Sequence, residues 1–191
     1  MPVKKCQRRL PQHGAPRYDQ FSLRAREFSL SSKRNSTMAH EKLIKINTKE
    51  VAVNGFAPHG VIEISMDGDV MHYECTGPFN RELFDAMAVA QMAFLANLKH
   101  PGPWASIAIG RESVMASLDG IERYAELMKT RLPPELTAVA TAFVMGPDVE
   151  GSTIMGPHFA RIYAEIGRPF KIFPTLTEAI QWAQTMVDAS R

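Results

Sequence analysis

Two loops of this chain carry side chains that are suited to chemistry. The first, GRESVMASLDG (residues 110–120), places Ser113 and Ser117 between an apolar segment and a helical pattern. A serine at the start of a helix usually caps it, and a phosphate added there is stabilised by the helix dipole. Ser113 and Ser117 are therefore candidate phosphoacceptors, and capping alone is the competing interpretation of Ser117.

The second loop, GPDVEGSTIMG (residues 146–156), also follows an apolar segment and precedes a helical pattern. Backbone amides and hydroxyls near a helix N-terminus bind anions, so Gly151, Ser152 and Thr153 form a candidate anion or ligand loop. The stretch has neither the G-x-G-x-x-G spacing nor the G-K-[ST] ending of nucleotide-binding loops. A plain loop with helix-capping residues is the competing interpretation.

The spacing of histidines and cysteines predicts no catalytic, cofactor-binding or metal site. The six histidines form neither an H-x-x-x-H nor an H-E-x-x-H pattern, and Cys6 and Cys75 lie far apart. His158 begins a helical pattern but has no evident nucleophile beside it. Two separate cysteines give no disulfide framework and fit a reducing compartment, so we expect a cytoplasmic protein.

Charge divides the chain into two parts. Residues 1–38 hold nine Lys or Arg against two acidic residues, whereas the remainder holds thirteen against eighteen. The first part has little apolar periodicity and is predicted to be a disordered basic extension. Three interpretations stay open: an arm for nucleic acid or anionic membrane, an organelle transit peptide, or residues upstream of a true start at Met38. The acidic remainder argues against nucleic-acid binding by the folded domain.

The order of the predicted elements favours an α/β fold. After a lead-in segment, residues 39–57, a β-hairpin turns at Asp67-Gly68, and helices and strands then alternate through a single domain, residues 58–191. The elements are hairpin 61–76, helix 81–98, strand 104–109, helix 118–131, strand 137–145, helix 156–166, strand 170–173 and helix 175–188. This alternation predicts a mixed, mostly parallel sheet with an N-terminal β-hairpin and flanking helices. No apolar run is long enough for a transmembrane segment.

Three stretches, in this order, resemble the STAS/SpoIIAA-like family of small α/β domains. They are GVIEISMDGDVMHYECTGPFN (residues 60–80), PWASIAI (103–109) and GRPFKIFPTLTEAIQWAQ (167–184). The likeness covers roughly residues 58–186 and implies a central sheet flanked by helices. Members of this group act as regulatory or ligand-binding modules.

The resemblance also implies where regulation would occur. In the anti-sigma-factor antagonists of this group, a serine in the loop after the central strand is phosphorylated. The matching stretch here is IAIGRESVMASLDG (residues 107–120), which contains Ser113 and Ser117 but lacks the D-S-x-G context of the family. Other relatives of the fold carry lipids or small apolar ligands.

These observations leave three functional hypotheses. We expect a non-enzymatic regulatory or protein-interaction module with a protein partner that the sequence does not identify. The alternative is a domain that binds a small apolar molecule or a lipid. An enzyme with an unrecognised site is the weaker alternative, and the oligomeric state is left open.

Overall fold

The computed structural model describes residues 45–191, so the predictions for residues 1–38 and for the start of the lead-in segment lie outside the described residues. The strands are β1 (Lys45–Asn47), β2 (Val61–Asp67), β3 (Val70–Thr76), β4 (Ala105–Arg111), β5 (Thr141–Val144) and β6 (Phe170–Phe173). The α-helices are α1 (Arg81–Leu98), α2 (Leu118–Lys129), α3 (Ser152–Glu165) and α4 (Leu176–Asp188). Short 3-10 turns, Thr48–Glu50 and Pro134–Leu136, follow β1 and precede β5.

The six strands form one mixed sheet in the order β1-β2-β3-β4-β5-β6. β1, β2 and β3 pair antiparallel, whereas β3 to β6 pair parallel. The predicted α/β class and the mostly parallel sheet with a hairpin are therefore confirmed. β1 extends the antiparallel edge beyond the hairpin, where the buried Thr48 hydroxyl oxygen accepts a hydrogen bond from the Ile62 amide at 3.0 Å.

The two faces of the sheet are covered differently. From β3 to β6, each parallel strand is added to the sheet on the same side of the strand before it. Right-handed crossovers that all run in one direction place their helices on one face of the sheet. The helices α1, α2 and α3 accordingly share one apolar core, and α4 packs on the opposite face in a second core. The α4 side chains Ala179, Ala183 and Val187 are fully buried there, whereas Ile180 on the same helix is exposed.

Three helices begin at side chains that cap them, including Ser117, for which the sequence left capping as one interpretation. The side-chain oxygens of Asn80, Ser117 and Thr175 each accept a hydrogen bond from the amide three residues further along, at 3.1, 3.3 and 3.3 Å. Each bond satisfies one of the amides that the first turn of a helix leaves without an intrahelical partner. The starts of α1, α2 and α4 are thereby fixed by local sequence.

Two boundaries differ from the predictions. Helix α3 begins at Ser152 rather than at residue 156, because Gly151 adopts φ = +79° and its carbonyl accepts hydrogen bonds from the amides of Ile154 and Met155. Pro157 consequently lies inside the helix instead of at its start. Strand β5 begins at Thr141 rather than at residue 137, and Thr137 instead caps the 3-10 turn Pro134–Leu136, with its hydroxyl donating to the Pro133 carbonyl at 3.0 Å.

Trp104 anchors the segment between α2 and β5. Its side chain is only 1% exposed, and its indole N–H donates a hydrogen bond to the Glu135 carbonyl at 3.1 Å. The backbone carbonyl of Trp104 also accepts a hydrogen bond from the Val139 amide at 2.9 Å. These contacts hold residues 130–138 against the amino end of the parallel strands.

Candidate functional site

An apolar cavity of about 100 Å³ lies between the sheet and the helices α1, α2 and α3. Its lining extends from Gly110 and Val114, near the carboxyl ends of the strands, to Thr137 and Arg168, near their amino ends. For comparison, an engineered apolar cavity of about 150 Å³ in another protein stays dry and binds benzene. The cavity here has the size of a small ligand rather than of a long lipid chain.

The side chains of β4 explain why space remains beneath the helices. Successive residues of a strand point to opposite faces of a sheet. On β4 the large residues Ile107 and Ile109 face α4, whereas Ser106, Ala108 and Gly110 face the cavity. Three small side chains in succession cannot fill the distance to helices that pack at the usual separation.

Aromatic rings form the walls of the cavity. The centroid distances are 5.0 Å between Phe84 and Tyr124, 5.6 Å between Tyr124 and Phe159, and 4.8 Å between Phe143 and Phe159. These four residues come from α1, α2, β5 and α3, so the ring contacts join every helix on this face to the sheet. Edge-to-face and tilted pairs of this kind have defined geometry and hold the walls in place.

Buried hydroxyl groups around the cavity are largely paired with one another. The phenol oxygens of Tyr124 and Tyr163 are 2.6 Å apart, and the hydroxyl oxygens of Ser106 and Thr141 are 2.8 Å apart. Burial raises the pKa of Tyr124, Tyr163 and Tyr73 above the usual value for tyrosine. These phenols therefore stay neutral and serve as hydrogen-bonding groups rather than as bases.

Cys75 is a further lining residue with potential chemistry. Its thiol donates a weak hydrogen bond to the Tyr73 carbonyl at 3.4 Å. Burial, with a smaller contribution from the charge of Glu74, raises the pKa of the Cys75 thiol to about 12. The thiolate is the nucleophilic form, so Cys75 is inert at neutral pH.

The two serines predicted as phosphoacceptors have unlike environments. Ser113 is buried, and its hydroxyl oxygen accepts a hydrogen bond from the Met115 amide at 3.2 Å. Ser117 is exposed at the N-terminus of α2, where its side chain caps the helix. Ser117 is therefore an exposed residue whose hydroxyl is hydrogen-bonded at the helix start, whereas Ser113 is buried.

The structure brings the two predicted loops together at the carboxyl ends of the strands. The Val114 amide donates to the Glu150 carbonyl at 2.9 Å, and the Glu150 amide donates to the Glu112 carbonyl at 2.8 Å. Exposed apolar side chains flank the pair, since Leu118 is 76% and Ile154 is 60% exposed. This edge of the sheet is consequently a rigid surface with apolar side chains on it.

The predicted anion loop forms the tight start of α3. A Cβ atom on Gly151 would lie 2.5 Å from the Met115 sulfur, so only glycine fits there without rearrangement. The Ser152 amide already donates to the Val149 carbonyl at 3.2 Å, and Thr153 is exposed. The anion-binding role of Gly151, Ser152 and Thr153 stays a prediction.

Sequence analysis missed the cavity and most of its lining. The signal was present in ASIAIGR, where small and large residues alternate along β4. The sequence pattern alone predicts only a strand there, residues 104–109. No local sequence pattern marks Arg168, because its position in the cavity lining depends on helices distant in sequence.

Similarity to known proteins adds nothing to these observations. No family model, curated protein or solved structure matches the chain.

Within residues 45–191, no group of three or more His, Cys, Asp or Glu side chains is arranged to hold a metal ion. No helix in the same range has the length and apolar character needed to cross a membrane. The cavity is therefore the feature from which a function is inferred.

Because of the cavity, we expect the same substitution on two neighbouring strands to have opposite effects on the free energy of unfolding. Ala108 faces the cavity, whereas Ala142 on β5 is fully buried against α4. We expect Ala108→Leu to leave the free energy of unfolding unchanged or to raise it by up to about 2 kcal/mol, because it fills empty space. Ala142→Leu should lower that free energy by about 1–3 kcal/mol through overpacking. Urea denaturation followed by circular dichroism measures both, and equal losses would contradict the cavity.

Proposed function

We propose that this protein is a non-enzymatic module that binds a small apolar molecule in the cavity beneath α1, α2 and α3. The single observation that carries this proposal is the cavity itself, about 100 Å³ of space between the sheet and three helices. Native interiors normally leave few voids larger than a water molecule. Small-molecule sites are concave, mostly apolar and lined by a few polar groups, as this cavity is.

The STAS/SpoIIAA-like assignment is part of the same proposal. It is supported by the three sequence stretches described above and by a sheet whose parallel strands follow one another in chain order after an N-terminal hairpin. Small-ligand binding agrees with the expectation drawn from apolar-ligand carriers of this fold. A cytoplasmic location is proposed on cysteine usage alone.

An enzymatic function has less support. Among residues 45–191, Arg168 is the only charged residue that lines the cavity. The lining tyrosines stay neutral, and Cys75 stays protonated at neutral pH. A general base near neutrality and an activated nucleophile are thus both missing from the lining, although acid–base and covalent catalysis require them.

Titration with benzene tests the proposed function directly. The wild-type chain should show saturable changes in the NMR signals of residues that line the cavity, because benzene suits an aromatic-walled apolar space. Ala108→Leu should weaken benzene binding about tenfold or more, since the added side chain occupies the same volume. Ala142→Leu serves as the matched control, because it adds the same atoms on the other face and leaves the cavity open.

Benzene binding by the wild type, Ala108→Leu and Ala142→Leu is compared to test the proposed function. Binding by the wild type and by Ala142→Leu, with loss in Ala108→Leu, supports ligand binding in the cavity. Absence of saturable binding to the folded wild type overturns the proposal. Equal binding by all three proteins places benzene elsewhere and also overturns it.

A regulatory interaction at Ser117 is the second candidate function. The observation that favours it is the exposed position of Ser117 next to Leu118, which is 76% exposed at the same helix start. A phosphate on Ser117 would add negative charge at the N-terminus of α2, where the helix dipole stabilises it. Such a charge beside an apolar side chain would change which protein surface can dock there.

Substitutions of Ser117 separate regulation from capping. We expect Ser117→Ala to lower the free energy of unfolding by about 1 kcal/mol, because the cap is lost. Ser117→Asp retains a capping side chain and should change the proteins recovered by affinity purification from native cells. Ser190→Asp, an exposed control near the end of α4, should leave them unchanged. An unmodified Ser117 in the native protein, together with identical partners for all variants, would exclude the regulatory role.

A further inference from the structure

Arg168 occupies an unusual position for a charged residue. It lies just before β6, it lines the cavity, and its side chain is half-buried. The guanidinium carbon is 5.9 Å from the centroid of the Tyr163 ring. The charge is also close enough to oppose the rise in the pKa of Tyr73, on a strand three positions away in the sheet. Arg168 therefore directs its positive charge toward the cavity.

The charge of Arg168 has no acidic partner within residues 45–191. The other two partly buried arginines of this range each have an acidic partner within 4.0 Å: Arg81 lies 3.7 Å from Glu126 and Arg123 lies 2.7 Å from Asp85. No such ion pair in this range involves Arg168. The other basic residues of this range without such a partner are all exposed: Lys49, Lys99, Arg131 and Lys171. Water solvates those four, whereas Arg168 keeps a partly desolvated charge beside an apolar space.

We infer that the cavity takes a small aromatic monocarboxylate, with the carboxylate on Arg168 and the ring toward Ala108. This inference rests on the proposed ligand-binding function and names the class of ligand. A guanidinium group binds a carboxylate through two parallel hydrogen bonds, and this pairing supplies the acidic partner that Arg168 lacks. The aromatic walls suit a flat ring better than a flexible chain.

The charge and size of the cavity narrow the ligand class. With one charged side chain in the lining, a monoanion is neutralised, whereas a dianion such as a phosphate monoester would bring a surplus negative charge into an apolar site. A cavity of about 100 Å³ also accommodates a single ring and excludes a long acyl chain from full burial. The hydroxyls of Tyr124 and Tyr163 are paired with each other, and that of Tyr163 also lies 3.7 Å from the Met128 sulfur, so neither is an unpaired buried donor.

Two pairs of isosteric probes test this assignment with the full chain. The probes are benzoate with benzamide, and 3-phenylpropanoate with its amide, so that each acid differs from its neutral partner only in the head group. In isothermal titration, the wild type should bind each acid at least about tenfold more tightly than the matching amide, since the anion gains charge-assisted hydrogen bonds. Benzamidine, the cationic analogue of benzamide, should not bind.

Substitutions of Arg168 provide the matched variants. Arg168→Gln should reduce the affinity for the acids about ten- to a hundredfold and change the affinity for the amides less than about twofold. Arg168→Lys keeps the charge but not the planar fork, so its affinity for the acids should lie between those of wild type and Arg168→Gln. Retained amide binding shows that each variant is folded.

The possible outcomes distinguish the two proposals. Equal binding of acid and amide by the wild type overturns the carboxylate assignment and leaves small-molecule binding intact. Acid preference that survives in Arg168→Gln also overturns the role of Arg168. Failure of every probe to bind the wild type overturns the carboxylate assignment, and failure of benzene as well overturns the proposed function with it.

Discussion

The alternation of side-chain size along β4 is the constraint on which the rest of the structure depends. This strand lies at the centre of the sheet, and both of its faces are covered by helices. Ile107 and Ile109 belong to the core that includes the small side chains of α4, and both are buried there. On the other face Ser106, Ala108 and Gly110 leave a volume that three helices span without filling. The seven residues of β4 therefore border the core beneath α4 on one face and the cavity on the other.

The hollow core would collapse if its walls were not held apart. Contacts between aromatic rings connect α1, α2 and α3 to β5, and the buried Tyr124–Tyr163 hydroxyl pair connects α2 to α3. At the amino end of the strands, the indole of Trp104 holds the following loop through the Glu135 carbonyl. These contacts pair several polar groups of the walls, so the lining is mostly apolar, and within residues 45–191 Arg168 supplies its one charge.

Much of the architecture was predictable from local sequence. Asn80, Ser117 and Thr175 mark helix starts because a capping side chain acts within three residues, and Asp67-Gly68 marks the hairpin for the same local reason. The early start of α3 was missed, because it depends on the left-handed backbone of Gly151 and on the Met115 sulfur that packs against it. The cavity was missed for a related reason. Its shape depends on how helices distant in sequence pack over β4, and no local pattern encodes that distance.

The central claim is that an empty apolar volume lies beside Ala108, and xenon is its most direct probe. Xenon enters apolar cavities and is located by its strong X-ray scattering once crystals are placed under pressure. The account predicts one ordered xenon between β4 and the helices α1, α2 and α3, and none between the sheet and α4. Absence of xenon at Ala108 in crystals that bind it elsewhere would contradict the claim.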